Sequence, residues 1–364
     1  MNPNIGGVQR VSDILAKYLM KKGYNVYCLT FLEHDDSYSP PFNIFSLPDK
    51  EFFSKTNLKY YHNLIKTLKI HVIINHDASN DRSRFFLNTG NLQVKKISFY
   101  HQDPIQGFNA KPKHFLLKLI YSISPKLSIY LRILKRIDRL NFLITSSDAI
   151  VYLSERFCSD LWDCYRLKSD KFKVIPNPIT TINSISAQKL NKIVFVGRLE
   201  FEQKRPELAL EIWSRLANVF PDWEFIFLGD GIDRLQLENQ VLTRNIKNVS
   251  FKGFVDPVPY YQEASIICMT SEYEGFGIVL VEAMNVGVVP ISFSNWSSIH
   301  DIITDKENGI LVENDNIEIF TRELKHLISN ESFRSQLSIN ALKTSRNFDI
   351  EVIGPKWIDL IENI

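Results

Sequence analysis

Cations and glycines follow two apolar runs in the second half of the chain. Arg198 and Lys204 follow the run KIVFVG. Gly229 is the last residue of the run EFIFLG, and Asp230 follows it. Cationic side chains, bare backbone amides and helix N-termini are groups that bind diphosphates in proteins. If both runs are parallel strands of one sheet, these groups converge at its carboxyl edge and form a diphosphate site.

Two carboxylates bracket a third glycine-containing turn, SEYEGFGIVLVEAM. Glu274 lies in the turn, and Glu282 falls about one helical turn into the apolar run that follows. A carboxylate in such a run needs a partner, because burying an unpaired charge is costly. Two interpretations stay open. The glutamates complement the dipole of a helix N-terminus, or they accept hydrogen bonds from the hydroxyls of a sugar and a ribose.

Short apolar runs alternate with helical patterns along the chain. The strand candidates are residues 25–31, 71–75, 97–101, 149–154, 192–197, 224–229, 249–253, 265–269 and 288–293. This alternation predicts an α/β protein with doubly wound parallel sheets. The proline-containing, polar segment 174–191 is the best linker candidate. We therefore predict two Rossmann-like domains, 1–178 and 179–345, and a C-terminal helix within 346–364 that packs back on the first domain.

The composition fits a soluble, globular chain. Of its 364 residues 45% are hydrophobic and 23% are charged, which excludes fibrous and disordered classes. Its four cysteines match no zinc or redox spacing, so we expect free thiols, and we find no secretory signal or membrane span. Residues 1–180 carry 26 Lys and Arg against 15 Asp and Glu, whereas the remainder is acidic. The basic half indicates an anionic substrate or surface.

The second half resembles the donor half of the family 4 retaining glycosyltransferases. The resemblance is carried, in the family's order, by VIPNPI, VFVGRLEFEQKRPELAL, FLGDGIDRLQLE, VSFKGFVD and SEYEGFGIVLVEAMNVGVVPIS. The spacing of Glu274 and Glu282, with seven residues between them, is that family's signature. The first half is similar more weakly, through GGVQR (6–10), HQDP (101–104) and SDAIVYLSERFCSDL (147–161). The resemblance implies the GT-B fold, in which two Rossmann-like domains face a cleft.

The resemblance also implies roles for single residues. Glu274 and His101 would be the catalytic residues beside the transferred sugar, and Glu282 would accept the ribose hydroxyls. Arg198 and Lys204 would hold the diphosphate of a UDP- or GDP-sugar. The rest of the implied donor site is Gly229, Asp230, Phe254 in the base pocket, Phe276, Gly277 and Ile278, with Gly6 and Gly7 from the first half.

The family's chemistry keeps the anomeric configuration and uses neither a metal nor another cofactor. Fixed cations stabilise the leaving diphosphate, which itself helps to deprotonate the acceptor hydroxyl in a front-face transfer. We therefore expect a hexosyltransferase. The alternatives are a nucleotide-sugar epimerase or phosphorylase of the same fold, or an inactive relative that binds a surface. One departure from the family is FSNWSSIHDII, in which Asp301 stands where the family has a glutamate.

The segment 111–139 mixes basic and apolar residues at helical spacing. Basic amphipathic helices bind anionic membranes, but the same pattern suits a core-packing helix pair with a solvated basic face. The membrane interpretation predicts a cytoplasmic enzyme, peripheral on the inner face of the bacterial membrane. Its acceptor would be a polyprenyl-linked or glycan intermediate of a cell-surface polysaccharide such as capsule or O-antigen. We expect no nucleic-acid partner.

Gly6 and Gly7 run into an amphipathic helix with no strand ahead of them. The resemblance implies that they form the turn after the first strand and approach the phosphate or sugar of the donor. That strand lies in the interior of a doubly wound sheet, so its loss would leave neighbouring strands unpaired. We therefore expect an apolar β-segment upstream of Met1 in the intact protein, and a marginally stable first domain without it.

Overall fold

The computed structural model describes residues 6–31, 38–78, 81–105, 123–182 and 189–364. The chain divides into two compact units. Unit 1 comprises Met1–Pro176 and Gly354–Ile364, and unit 2 comprises Asn177–Ile353. The first division lies two residues before the boundary proposed from the sequence, and the second falls inside the last helix.

Parallel strands form the core of unit 1. They are β1 (Tyr27–Thr30), β2 (Asn43–Ser46), β3 (Val72–Asn75), β4 (Lys95–Phe99), β5 (Ala149–Tyr152) and β6 (Phe172–Val174). Within the described residues β1 pairs with β2, and a separate sheet has the order β3-β4-β5-β6. The helices are α1 (Gly7–Lys21), α2 (Lys55–Thr67), α3 (Ser83–Phe86), α4 (Pro125–Ser146) and α5 (Glu155–Tyr165).

The described residues of unit 2 form one parallel sheet of order β12-β11-β10-β7-β8-β9. Its strands are β7 (Lys192–Val196), β8 (Glu224–Leu228), β9 (Val249–Phe251), β10 (Ile266–Met269), β11 (Val289–Phe293) and β12 (Ile310–Val312). This order places the first strand of the unit inside the sheet, as a doubly wound fold requires. The predicted α/β class with parallel sheets is therefore confirmed.

Helices connect the strands of unit 2 and cover its sheet. They are α6 (Pro206–Ser214), α7 (Arg234–Thr243), α8 (Val258–Glu263), α9 (Ile278–Met284), α10 (Ile299–Ile302), α11 (Ile317–Ser329) and α12 (Glu331–Ser345), with a 3-10 turn at Arg346–Phe348. Large side chains without solvent exposure fill the core between helices and strands, among them Trp213, Phe225, Phe227, Phe293 and Phe320. Burial of this apolar surface is the main stabilising term of the unit.

Polar side chains fix where several helices begin. Each accepts a hydrogen bond from a backbone amide of the first turn: Ser54 at α2, Ser154 at α5 and Asn316 at α11. Such caps replace a missing helical hydrogen bond and contribute about 1 kcal/mol each. These caps fix the N-termini of three helices, each of which follows a strand.

Three short strands were not predicted from the sequence. β2, β6 and β12 contain only three or four residues, but length alone does not explain the miss, because β9 is as short and was predicted. They exist because a neighbouring strand supplies their hydrogen-bond partners. The predicted strand 97–101 is shifted, because β4 ends at Phe99 and leaves His101 in the loop that follows.

The last helix, α13 (Ile350–Asn363), begins in unit 2 and ends in unit 1. Trp357 is fully buried and packs edge-on against Phe99, with ring centroids 4.8 Å apart. A Cβ atom on Gly354 would lie 2.2 Å from the ring of Tyr18. Glycine at this position therefore allows the helix to approach α1 closely.

Candidate active site

The carboxyl ends of β7 and β10 lie side by side in unit 2, because these strands pair through Ile193 and Ile266. β8 pairs with β7 on its other side. The strand order thus reverses at β7, and open parallel sheets bind their ligands in the crevice beyond such a point. The loops that follow these three strands carry most of the predicted donor residues.

Lys204, after β7, and Glu274, after β10, form an ion pair. Lys204 Nζ donates to Glu274 Oε1 over 2.5 Å, and the two side chains are only 13% and 8% exposed. The aliphatic stem of Lys204 lies over Gly197, where an added Cβ would be 3.2 Å from Lys204 Cε. Leaving either charge buried without the other would cost about 3–5 kcal/mol. The fold therefore joins two of the predicted site residues in one pair.

Arg198 lies in the same loop but in a different environment. Its side chain is 65% exposed, and its guanidinium donates to Glu200 Oε2 over 3.2 Å and to Gln203 Oε1 over 2.7 Å. Gln203 Nε2 in turn donates to the carbonyl of Tyr273 over 3.2 Å. Arg198 is thus linked to the Glu274 loop through Gln203.

Backbone segments meet closely at the ends of β7, β8 and β9. Gly229 has φ +140°, and its amide donates to the carbonyl of Gly253 over 2.8 Å. A Cβ at Gly229 would lie 1.9 Å from the carbonyl oxygen of Gly197, so only glycine fits. Asp230 follows, and hydrogen bonds from the Gly231 amide and from Arg234 lower the pKa of its carboxyl. Bare backbone is thus clustered at this edge of the sheet.

The turn before α9 is also constrained by packing. Gly277 has φ +75°, and a Cβ there would lie 2.5 Å from Cη2 of the buried Trp296. Phe276 is buried against Phe348, with ring centroids 5.5 Å apart, and Ile278 begins the helix. Glycine at 277 therefore serves both the left-handed backbone and the contact with the indole.

The segment that departs from the family pattern braces this turn. Asn295 Nδ2 donates to the carbonyl of Glu272 over 2.5 Å, and Ser298 Oγ donates to the carbonyl of Gly275 over 3.1 Å. Asp301 lies in α10 and is exposed. The sequence analysis missed the bracing role of this segment, because side chains that bond to backbone carbonyls leave no spacing signal.

Two further predicted residues differ in burial. Glu282 is 9% exposed within α9, whose other residues are apolar. Phe254 follows β9, and its side chain is 60% exposed. The aromatic ring of Phe254 is therefore accessible at the end of that strand.

In unit 1, His101 lies two residues after β4 and meets His76, which directly follows β3. His76 Nδ1 and His101 Nε2 are 2.9 Å apart, with the rings stacked at 5.1 Å. Ser12 Oγ of α1 lies 3.1 Å from the same His76 nitrogen. Burial lowers the pKa of His76 to about 4, and burial together with His76 lowers that of His101. The lowered pKa values favour the neutral form of both imidazoles.

Sequence reasoning did not select His76, although a signal was present. It directly follows the apolar run VIIN, and the carboxyl ends of neighbouring parallel strands share one edge. Gly6 precedes α1 in extended backbone with φ −178°, and Gly7 is the first residue of that helix. Residues 1–5 lie outside the described part of the chain.

The basic segment is described only from residue 123 onward, and residues 106–122 lie outside the described part. In α4, Leu140 and Leu143 are buried, whereas the first half of the helix exposes Leu127, Tyr130, Leu131 and Leu134. Arg136 donates to the carbonyl of Pro104, and Arg139 pairs with Asp81 over 3.3 Å. The helix thus packs through its second half and presents mixed apolar and basic residues through its first.

None of the helices in the described ranges is long and apolar enough to cross a membrane. Within the same ranges, no group of three or more His, Cys, Asp or Glu side chains is arranged to hold a metal ion.

Two family models together match residues 5–344 of the chain. Residues 5–182 match the family described as "Glycosyltransferase Family 4", and residues 181–344 match "Glycosyl transferases group 1". The chain is a family 4 glycosyltransferase. It therefore belongs to the transferases that move sugars, as the sequence analysis predicted.

Individual comparisons agree with this assignment. The glycosyltransferase is 28% identical to an uncharacterized glycosyltransferase of Haemophilus influenzae, over 97% of this chain and 95% of the relative. It is 27% identical, over 99% of this chain and 96% of the relative, to a Campylobacter jejuni enzyme named GalNAc-alpha-(1->4)-GalNAc-alpha-(1->3)-diNAcBac-PP-undecaprenol alpha-1,4-N-acetyl-D-galactosaminyltransferase. Its fold matches that of Anabaena HepE in complex with UDP-glucose, with a TM-score of 0.76 at 15% identity, covering 99% and 96% of the two chains. The GT-B fold predicted from the sequence is confirmed.

Proposed function

We propose that this glycosyltransferase takes a sugar from a UDP- or GDP-sugar and transfers it with retention to a lipid-linked or glycan acceptor of a cell-surface polysaccharide. The observation that carries the proposal is the Lys204–Glu274 pair, held at 2.5 Å beyond the carboxyl ends of β7 and β10. The cation suits the anionic diphosphate on one side of the scissile bond. The carboxylate suits the hydroxyls of the sugar on the other side.

In this mechanism the diphosphate competes with Glu274 for Lys204. A doubly charged diphosphate is the stronger partner, and the exposed guanidinium of Arg198 adds a second cation. Glu274 then turns its carboxylate to the sugar. Fixed cations stabilise the charge that develops on the leaving diphosphate, so that the transfer needs no metal and no other cofactor. Glu282 and the backbone at Gly277 and Ile278 would complete the donor site.

The acceptor proposal is supported by the named Campylobacter relative, whose acceptor is linked to undecaprenol diphosphate. It is also supported by the excess of Lys and Arg over residues 1–180, which favours an anionic acceptor. His101, at the carboxyl edge of the unit 1 sheet, would contact the sugar as a neutral hydrogen-bonding group. Gly6 and Gly7, at the start of α1, would approach the donor.

A nucleotide screen followed by a transfer assay tests this function. We expect UDP- or GDP-sugars to raise the melting temperature, because a ligand at 100 times its Kd stabilises the folded state by about 2.7 kcal/mol. With the stabilising donor and a polyprenyl-diphosphate-linked acceptor, product should form equally with and without EDTA, and NMR should show a retained anomeric configuration. Inversion, or a requirement for a divalent ion, would contradict the proposed mechanism.

We further propose that the first half of α4 holds the enzyme at the inner face of the bacterial membrane. Exposed Leu127, Tyr130, Leu131 and Leu134 alternate there with lysine and arginine, and each cation near an anionic surface contributes about 1 kcal/mol. The enzyme should sediment with anionic liposomes and less so at high salt. Replacing Tyr130 and Leu134 by serine should weaken this binding. Replacing Ile339, an exposed apolar residue of α12, should leave it unchanged, and equal recovery with neutral vesicles would refute the proposal.

A further inference from the structure

Arg205 combines two unusual properties. Its backbone has φ +48°, a left-handed conformation that favours glycine, and it directly precedes α6. Its side chain is also only 11% exposed, whereas arginine is rarely buried unless it is paired. Glycine would adopt this backbone conformation without strain, whereas arginine does not. The arginine side chain must therefore make interactions that compensate for the strain.

The guanidinium of Arg205 bonds to two other loops at the carboxyl edge of the sheet. After β10, it donates from Nε to the Thr270 carbonyl over 2.8 Å and pairs through Nη1 with Glu272 Oε2 over 2.7 Å. After β12, it donates to Asn314 Oδ1 over 2.6 Å and to Asp315 Oδ1 over 2.5 Å. Phe293, at the end of β11, lies beneath the guanidinium, 5.3 Å from ring centroid to Cζ.

Three consecutive residues bind the segment that carries Glu274. The Gln203 carbonyl accepts from the Glu272 amide over 2.7 Å, Lys204 pairs with Glu274, and Arg205 holds Thr270 and Glu272. Thr270 Oγ1 returns a hydrogen bond to the Arg205 carbonyl over 2.8 Å. The two loops are therefore joined through the residues on both sides of Lys204.

We propose that Arg205 is a positioning residue of the donor site: it fixes the loop 270–274 against the loop 198–205, so that Glu274 stays within reach both of Lys204 and of the donor sugar. The inference rests on the donor site proposed above. The acidic partners of Arg205 are exposed loop side chains, with Glu272 at 46% and Asp315 at 66% exposure. The network thus orders the ligand edge of the sheet and adds little to the core.

A pair of variants separates positioning from general stability. Arg205→Gly removes the guanidinium and relieves the left-handed backbone. Arg334→Ala is the matched control, because Arg334 also donates to two carbonyls, those of Leu327 and Ile328, and stacks on Trp223. We measure the melting temperature with and without UDP or GDP, and then kcat and the donor KM.

The expected results for the two variants are opposite. Arg205→Gly should keep a melting temperature near that of the parent enzyme, lose most of the nucleotide-induced shift, and reduce kcat/KM about 10- to 100-fold, as misplacing reactive groups by about 1 Å does. Arg334→Ala should lower the melting temperature but keep the nucleotide-induced shift and kcat. If Arg205→Gly is destabilised yet keeps its shift and kcat, Arg205 is a stability residue and the inference is wrong.

Glu272→Ala provides a second test if Arg205→Gly does not fold. Glu272 is half exposed, so its loss should not affect folding, but it removes one anchor of the loop and should lower kcat about threefold to tenfold. Unchanged kcat in Glu272→Ala would count against the proposal. If neither UDP nor GDP raises the melting temperature of the parent enzyme, the proposed donor site itself is wrong. If UDP or GDP raises the melting temperatures of the parent enzyme and of Arg205→Gly equally, only the role of Arg205 is wrong.

Discussion

The two units keep polar side chains at the edges of their sheets in different ways. Unit 2 uses opposite charges, since Lys204 pairs with Glu274 and Arg205 bonds to Glu272 and Asp315. Unit 1 uses two neutral rings, since burial lowers the pKa of both His76 and His101. A charge pair prepares a site for an anion, because a competing anion can replace the carboxylate. Neutral imidazoles suit a hydroxyl, which neither supplies nor requires a net charge.

The two arrangements also differ in what remains unsatisfied. Lys204 and Glu274 satisfy each other, whereas His101 Nδ1 is buried without a hydrogen-bond partner among the described residues. An unsatisfied buried nitrogen costs about 1–3 kcal/mol, a smaller penalty than that of an unpaired buried charge. A neutral ring can therefore tolerate an incomplete network that a buried charge could not, and the following predictions test this contrast.

The largest effect is expected at the carboxylate of unit 2. Glu274→Gln should lower kcat about 100- to 1000-fold, as loss of one electrostatic group at a reacting centre does. UDP should bind no more weakly than to the parent enzyme, because the neutral amide competes less for Lys204. Steady-state kinetics and calorimetric titration measure the two quantities. Glu200→Gln, at the exposed Arg198 pair, is the control, and near-normal turnover of Glu274→Gln would remove this residue from the site.

The neutral pair of unit 1 predicts a dependence of stability on pH. The pKa of His76 is 6.5 in the unfolded chain and about 4 in the fold, so between these values only the unfolded chain takes up the proton. The contribution of His76 to stability is therefore fully present above pH 6.5 and declines as the pH falls, by about 3 kcal/mol at pH 4.

His76→Asn should abolish this part of the acid sensitivity. Urea unfolding at pH 7 and at pH 4.5 measures it, with substitution of the exposed His71 by asparagine as the control. An equal loss of stability in His76→Asn and the parent enzyme would show that the imidazole pair is not neutral, and the contrast between the units would fail.

A smaller effect is expected at the buried cation of unit 2. Lys204→Ala should weaken UDP binding by about 1.5–3 kcal/mol, the contribution of a hydrogen bond to a charged group. It also leaves Glu274 buried and unpaired, so that the melting temperature should fall. Unchanged nucleotide affinity would mean that the diphosphate binds elsewhere.

The smallest effect is expected at Arg198. Its side chain is 65% exposed and that of its partner Glu200 is 24% exposed, and ion pairs at the surface contribute about 0–1 kcal/mol. Arg198→Ala should therefore weaken UDP binding less than fivefold and leave the melting temperature unchanged. If Arg198→Ala weakened UDP binding as much as Lys204→Ala, burial would not determine how much each cation contributes to UDP binding.

The sequence was most informative where patterns are local. The alternation of apolar runs predicted the parallel sheets, and the segment SEYEGFGIVLVEAM indicated both glutamates and a glycine-containing turn ahead of a helix. It did not indicate β6 and β12, which pair with β5 and β11 and depend on these neighbouring strands for their hydrogen bonds. Asn295 and Ser298 were also missed, because a side chain that bonds to a distant carbonyl leaves no local signal.

The sequence by itself determined which residue types stand at the strand ends, because periodicity and turn chemistry are properties of neighbouring residues. Only the tertiary structure decided which of them meet. Lys204 and Glu274 are 70 positions apart, and they pair because β7 and β10 are neighbours in the sheet. In the same way His76 meets His101 because β3 pairs with β4. Strand order is set by how whole elements pack, so no short stretch of sequence contains it.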